Sequence, residues 1–536
     1  MSHSETIEIE RKYEVGAETP VPELDTSALP VEVAEVAALD PVELEAVYFD
    51  TDDAALARAR IALRRRRGGH DEGWHVKLPA AEGRTELQWP LDAGGDGSGS
   101  AGDDATVVPA VVLDAVRVHV RDRPVTPLAR ISTVRRVTEL RDAHGAVIAE
   151  LADDDVAASD VRGSTTRAWR EWEVELGAAA PSTPEQRAAL LDAIEVQLTA
   201  AGATVAASVS KLAQALGRTG LGSGDAAPSR PKKSDDASAV VRAGIASLVA
   251  RLIELDPAAR AARPDAVHRF RTTVRRLRSA LATHRRLFDD DEVDALRDSL
   301  SRLGAVLGEV RDLEVRAELA EHALTELERD RGIDDPDARR RLVDDTRSEH
   351  DEAHRRLLAT MNRVPYFRLL DALEEFTGGR HRSKKPSKEP AKKEAQKTIE
   401  REGRRALRRS VKGAEVEAAL DGSTTETSAA LAALHASRTA ARRLRLAAEF
   451  SAEGPAGVLG SHAGKVAEAA EELQDALGAH RDASLFAEYV LLTARRADAA
   501  GESSFTYGVL YQRSIDEARR SLAAADDARR RVKSAL

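Results

Sequence analysis

The 536-residue chain is longer than a single hydrophobic core serves, and its length suggests three or four packing units or two large domains. A net charge of -11 with 32% charged residues describes a soluble, self-repelling surface, which excludes coating of nucleic acid by bulk charge, and 3% aromatics leaves few platforms for stacking on single strands. The absence of cysteine excludes disulfides, thiolate metal sites and cysteine nucleophiles, so any metal is held by oxygen or imidazole.

Residues 1–5 carry neither a basic nor an apolar leader region, and no run of about 18 apolar residues occurs, so a cytoplasmic protein without a membrane partner is expected. The first predicted strand, 7–15, sets Glu8, Glu10, Lys12 and Glu14 on one face and Ile7, Ile9, Tyr13 and Val15 on the other. A helix is predicted over 31–39 and a short strand over 47–51. In 59–67, Arg60, Ala62, Arg64 and Arg66 share a face opposite Ile61 and Leu63. After a glycine turn, 73–79 places Lys77 with His75, and 84–89 follows as another strand. A polar insert lies between Asp92 and Ala105. Beyond it, 129–137 is β-branched and basic, with Arg135 among its cations. Residues 146–155 align Glu150, Ala152 and Asp154, and 169–176 aligns Glu171, Glu173 and Glu175 against Trp172, Val174 and Leu176. A helix over 183–201 then precedes Ser208-Val209-Ser210-Lys211.

A charged strand face is usually just solvated. Six such strands, with carboxylates concentrated on some and arginine or lysine on others, point instead to a closed antiparallel barrel with a polar interior, because buried charges are paired or bound to ions. Its contents would be a polyanion and a divalent metal.

In order, Glu8-x-Glu10-x-Lys12, Tyr48-Phe49-Asp50-Thr51, Leu63-Arg64-x-Arg66, Trp74-x-x-Lys77, the 150–154 segment, Glu173-x-Glu175 and Ser210-Lys211 resemble the CYTH domain of the triphosphate tunnel metalloenzymes, over a domain set at 1–217. The resemblance implies an α+β domain with an eight-stranded antiparallel tunnel that binds a triphosphate and Mg2+ or Mn2+. Most members hydrolyse the terminal phosphate, whereas some bacterial members cyclise ATP. It further implies catalytic roles for Glu8, Glu10, Lys12 and Lys77, and phosphate binding by Lys12, Arg64, Arg66, Lys77, Arg135 and Lys211. Glu8, Glu10, Asp154, Glu173 and Glu175 would ligate the metal or orient water beside it. The choices between Glu150 and Asp154, and between Glu171 and Glu175, stay open.

Composition then shifts to Gly, Ser, Pro, Lys and Asp over a linker at 218–237, after which apolar residues recur at helical spacing to the end. A basic loop at 378–397 divides this all-α domain, 238–536, into halves 238–377 and 398–536. The halves repeat. His268-x-x-Arg271-x-x-x-Arg275-Arg276-Leu277-Arg278 recurs as His435-x-x-Arg438-x-x-x-Arg442-Arg443-Leu444-Arg445, and Leu307-Gly308-x-x-Arg311-Asp312 recurs as Leu477-Gly478-x-x-Arg481-Asp482. On a helix, His268, Arg271, Arg275 and Arg278 fall within roughly 80°, and so do their counterparts. Like charges so spaced repel, and an extended polyanion would supply their missing partners. Neither histidine has a second histidine or a carboxylate at i+3 or i+4, so zinc is the minor reading.

These motifs resemble the CHAD domain, from about Ala239 onward, with Arg442 where lysine is common and Leu446 where tyrosine is common. That resemblance implies two four-helix bundles around a basic channel that binds inorganic polyphosphate, through the two stripes together with Arg311 and Arg481. The expected protein is a metal-dependent inorganic triphosphatase joined to a polyphosphate-binding domain. Its expected partners are triphosphate, polyphosphate and polyphosphate granules, with no specific nucleic acid. The rival readings are a non-catalytic polyphosphate-granule protein and an adenylyl cyclase.

Overall fold

The computed structural model describes residues 3–93, 107–206, 210–217, 235–378, 390–412, 415–416 and 424–536, and the chain divides into two compact units, Met1–Pro228 and Ser229–Leu536. Most of the polar insert, residues 218–234 of the expected linker and residues 379–389 of the expected basic loop lie outside the described residues.

The first unit is built on one antiparallel sheet of eleven strands: β1 (Ser4–Glu8), β2 (Glu10–Val15), β3 (Glu35–Ala38), β4 (Val42–Asp50), β5 (Ala62–Arg67), β6 (Gly73–Pro79), β7 (Arg84–Trp89), β8 (Thr126–Arg141), β9 (Val147–Asp160), β10 (Thr165–Leu176) and β11 (Thr204–Val205). Their order is β1-β7-β6-β5-β4-β8-β9-β10-β2-β11, with β3 added on β8. β1 and β2 are separated only by Ile9, yet they pair with β7 and β10 far apart in that order. The sheet therefore curls until both parts of its edge are carried by one N-terminal stretch, where the Leu176 N–H donates to the Ile9 carbonyl at 2.9 Å. The strands number eleven rather than the expected eight because this stretch is interrupted at Ile9, and because β3 and β11 are short additions.

Period two divides the sheet's faces. Outward-pointing Tyr13, Trp172 and Val174 pack against Leu190, Ile194 and Leu198 of helix α1 (Pro184–Ala200). Thr183 caps that helix by accepting from the Gln186 N–H, and Pro184 supplies a first-turn residue that needs no donor. Elsewhere on the sheet Phe49, Leu63, Trp74, Val76 and Trp89 bury against Val112, Val116 and Val120. Each such side chain contributes about 1.5–3 kcal/mol when fully buried, which fixes the register and turns the charged positions inward. Ile7 on β1, Val36 on β3 and Val205 on β11 are exceptions, all more than half exposed.

The helix expected over 31–39 is not formed. Val31 and Val33, at strand spacing, pack on the Tyr13–Trp172 core, and β3 pairs with 138–141. Cross-strand pairing here overrides the helix preference of the Ala and Glu residues.

The second unit is helical: α2 (Ala237–Arg260), α3 (Ala266–Thr283), α4 (Asp290–Arg331), α5 (Asp345–Met361), α6 (Val364–Thr377), α7 (Ala391–Arg409), α8 (Thr424–Ala452), α9 (Ser461–Ala499) and α10 (Phe505–Ala535). α7 opens at Ala391, so Lys392, Lys393 and Lys397 stand on a helix and not in the basic loop expected to reach 397. Buried Ala391, Ala395, Ile399 and Ala406 supply its packing face. The long α4 starts where Asp289 accepts from the Asp291 and Glu292 N–H groups, with three acids in the first turn, and ends at Gly332, whose φ of 65° suits glycine. Among the described residues no helix is long and apolar enough to cross a membrane.

Candidate functional site

Inside the curled sheet lies a cavity of about 470 Å³. Its walls receive Glu8, Glu10 and Lys12 from the N-terminal stretch, Arg64 and Arg66 from β5, Lys77 from β6, Arg135 from β8, Glu173 and Glu175 from β10, and Lys211 from the start of a short helix, Lys211–Ala215. These are the side chains to which the sequence assigned catalytic, phosphate or metal roles. Asp154 belongs to the same set but stands behind the wall, fully buried against Arg135 and Lys211.

The charges are interleaved. Lys77 Nζ donates to both oxygens of Glu8, at 2.5 and 2.6 Å. Lys12 lies 2.8 Å from Glu10 and also bonds Glu173. Arg135 grips Asp154 with two bonds of 2.8 and 2.7 Å and reaches Glu173 at 2.5 Å, while Lys211 contacts Asp154 at 2.8 Å, Glu171 at 2.7 Å and Glu173. Burial penalises the charges of Glu10, Lys12, Arg135, Glu173 and Lys211, and neighbours of opposite sign overcome the penalty, whereas at Glu171 burial prevails and raises the carboxyl. Glu173 is accordingly held well below the carboxylate range, with Lys12, Lys211 and Arg135 opposing its burial. Burial and the adjacent Arg64 and Arg135 push Arg66 down to about 9.

Two acidic groups emerge. Asp154, Glu171 and Glu173 present oxygens within 4.8 Å of one another, a buried, oxygen-only donor set of the kind a divalent cation takes. Three cations already neutralise it. The second group is a cross-strand row, in which Glu139, Glu150, Glu175 and Glu10 are successive partners on β8, β9, β10 and β2. Like charges directly opposite destabilise a sheet. Burial, then Glu8, raise Glu175 to about 7, and no ion pair to it occurs among the described residues.

Sequence reasoning missed Glu86, which accepts from His75 Nδ1 at 3.0 Å beside Arg64 and Lys77. Its period-two spacing from Arg84 was the available signal. Tyr48, Glu139, Glu150 and Asp71 also line the cavity.

In the second unit, α3 carries His268, Arg271, Arg275 and Arg278, and α8 carries His435, Arg438, Arg442 and Arg445. The stripes come together. Burial and the charges of Arg271, Arg442, Arg438 and Arg445 lower Arg275 to about 10, and burial with Arg438, Arg271 and Arg278 does the same to Arg442. Among the described residues Arg275, Arg278, Arg438 and Arg442 have no ion pair, and His268 Nδ1 and Arg438 Nε are buried without a hydrogen-bond partner. The repeat is geometric as well as sequential. Arg271 Nη2 passes 3.6 Å from where a Cβ on Gly308 would stand, and Arg438 Nε passes 3.6 Å from that point on Gly478. Arg311 and Arg481 differ from the stripe core in being paired, with Glu314 at 2.8 Å and Asp482 at 3.4 Å. His435 is exposed.

Residues 6–203 match the CYTH domain model, and 243–491 match the CHAD domain model. The uncharacterized protein Rv2226 of Mycobacterium tuberculosis strain H37Rv is 36% identical over 544 residues, covering 99% of this chain and 97% of that protein. Among solved structures, PptA from Streptomyces chartreusis is 18% identical, covers 55% of this chain and 99% of that chain, and gives a TM-score of 0.44. A putative adenylyl cyclase from Hippeastrum with a dominant triphosphatase activity is 21% identical, covers 41% of this chain and 98% of that chain, and gives a TM-score of 0.24. The curled sheet with its charged cavity is thus a CYTH domain, the helical unit carries a CHAD domain, and the chain belongs to the family of proteins that join a phosphate-related tunnel enzyme domain to a CHAD domain.

Proposed function

We propose that the first unit hydrolyses the terminal phosphoanhydride of inorganic triphosphate or short polyphosphate with Mg2+ or Mn2+, and that the helical unit, its duplicated halves read as four-helix bundles around a basic channel, binds inorganic polyphosphate. The observation that carries the reading is the cavity wall itself, where seven lysines and arginines, Arg84 among them, converge among carboxylates in a space of about 470 Å³.

Arg64, Arg66 and Arg135 present planar forks to phosphate oxygens, and Lys12, Lys77 and Lys211 add point charges. Lys12 and Lys77 exchange their present acids, Glu10 and Glu8, for phosphate. That exchange frees Glu8 and Glu10 beside the crowded Glu175, and these three, with Glu173 and Asp154, would hold a divalent metal. When bound, the metal neutralises anhydride oxygens and lowers the cost of in-line displacement. The remaining carboxylates on the same wall orient the attacking water.

Purified protein is expected to release phosphate from tripolyphosphate only when magnesium or manganese is present. Formation of cyclic AMP from ATP without phosphate release would identify a cyclase instead. Retention of polyphosphate without any turnover would leave only the binding half of the proposal.

A further inference from the structure

His75 has no place in the chemistry above, yet it is fully buried directly behind the cationic wall. Its ring is held at both ends: Nδ1 lies 3.0 Å from Glu86 Oε1, and Nε2 lies 3.0 Å from the Asp71 carbonyl. Both partners only accept. The Glu86 carboxylate is the stronger acceptor of the two, so the single proton of the neutral ring belongs on Nδ1, toward Glu86, while the Asp71 carbonyl accepts from Gln88 Nε2 at 3.1 Å. Burial, with Arg64 and Arg66 beyond the Glu86 carboxylate, favours the neutral ring and holds it at about 4.

The lengths around Glu86 are unequal. Its Oε1 is 3.0 Å from His75 but 3.5 Å from Arg64 and 3.7 Å from Lys77, both beyond good charge-assisted contact. A carboxylate free to move among two buried cations would close on them, since a desolvated ion pair is far stronger than one in water. We infer that His75 is a positioning residue: it draws Glu86 back from Arg64 and Lys77, so that the Arg64 guanidinium stays available to a phosphoanhydride chain and Lys77, already on Glu8, does not gain a second carboxylate that the chain would have to displace. The inference rests on the phosphoanhydride reading of the cavity and adds to it the residue that sets the strength of the anion site.

The test is tripolyphosphate binding by the full chain, measured calorimetrically without metal so that turnover plays no part. His75→Phe is expected to weaken binding by about tenfold or more, the loss typical when a hydrogen bond to a charged group is removed. Adding Glu86→Gln to His75→Phe should restore the affinity to near wild type, because the competing charge is gone. Glu86→Gln alone should bind at least as tightly as wild type, which keeps the test decisive if His75→Phe fails to fold. Unchanged binding in His75→Phe, failure of the second substitution to rescue, or weaker binding in Glu86→Gln would each overturn the inference. Absence of binding by the wild-type chain would overturn it as well. Binding by wild type without hydrolysis on adding metal would sink the hydrolase reading while leaving the role of His75 intact.

Discussion

The two units both gather cations, but by opposite arrangements. In the curled sheet Lys12, Lys77, Arg135 and Lys211 each face a carboxylate at ion-pair distance. In the helical unit Arg275, Arg278, Arg438 and Arg442 form no ion pair among the described residues, and the nearest acids, Asp482 and Asp312, act on Arg438 only at longer range. The difference is chemical. A wall of interleaved acids and bases suits a metal and an anion together and can exchange partners within one closed site. A stripe whose central arginines lack ion pairs suits an anion, and its run along two helices is what the proposed polyphosphate chain would follow.

The largest expected effect breaks the first arrangement. Glu10→Ala combined with Lys12→Ala removes a proposed metal ligand and the cation that bridges to Glu173, and turnover of tripolyphosphate should fall by about 10³-fold, the scale of losing a preorganised electrostatic group. Polyphosphate retention on a gel should be unchanged. Loss of both properties together would show that the two sites are not independent.

Charge reversal breaks the second. Arg275→Glu with Arg442→Glu places two acids where the stripes meet, and polyphosphate affinity should drop by about 10²-fold, with a shallower dependence on salt because fewer counterions are released. Turnover of tripolyphosphate should stay at its wild-type rate. Salt-insensitive, undiminished binding in this variant would rule out the stripes as the anion site.

How much of this was legible in the chain depends on range. Period-two alternation at Glu8, Glu10 and Lys12 and at Glu173 and Glu175 revealed which faces are charged, because alternation is a local property of a strand. The repeat spacing likewise placed both histidines and their arginines on matching helix faces. Local pattern could not show that Glu139, Glu150, Glu175 and Glu10 become neighbours, since that row exists only after four strands find their register. Nor could it assign Glu86 to His75, eleven positions away, or reveal that Val31 and Val33 serve a sheet-side core. The open choice between Glu171 and Glu175 also needed distances. Glu171 joins the acids already neutralised by Lys211, whereas Glu175 stands in the row without an ion pair.

That row sets a pH dependence. The folded-state carboxyl of Glu175 is raised from an ordinary 4.5 to about 7 by burial and by Glu8. Below its unfolded value the group is protonated in both states and costs nothing. As pH rises toward 7 the folded state resists ionising, so stability is progressively lost and the full penalty is present above 7. Glu175→Gln should therefore stabilise the metal-free protein by about 3 kcal/mol at pH 8 and hardly at all at pH 4, in denaturant unfolding. Excess magnesium should stabilise the wild type at pH 8 more than the variant. An equal effect at both pH values would mean that the row is not starved of a cation.

The smallest effect sharpens the comparison most directly, because it predicts opposite signs for chemically similar changes. Arg135 is paired with Asp154 and Glu173, so Arg135→Gln should destabilise the protein, leaving buried carboxylates uncompensated. Arg275 has only like-charged neighbours, so Arg275→Gln should stabilise it by about 0.5 kcal/mol at low salt, the scale of one like-charge contact relieved. The gain should fade as salt screens the stripe, and it should reverse once polyphosphate is added, because the ligand then stabilises the wild type more. A loss of stability for Arg275→Gln in the free protein would mean that the arginine is paired after all, and that the helical stripe resembles the sheet's interleaved wall more than it differs from it.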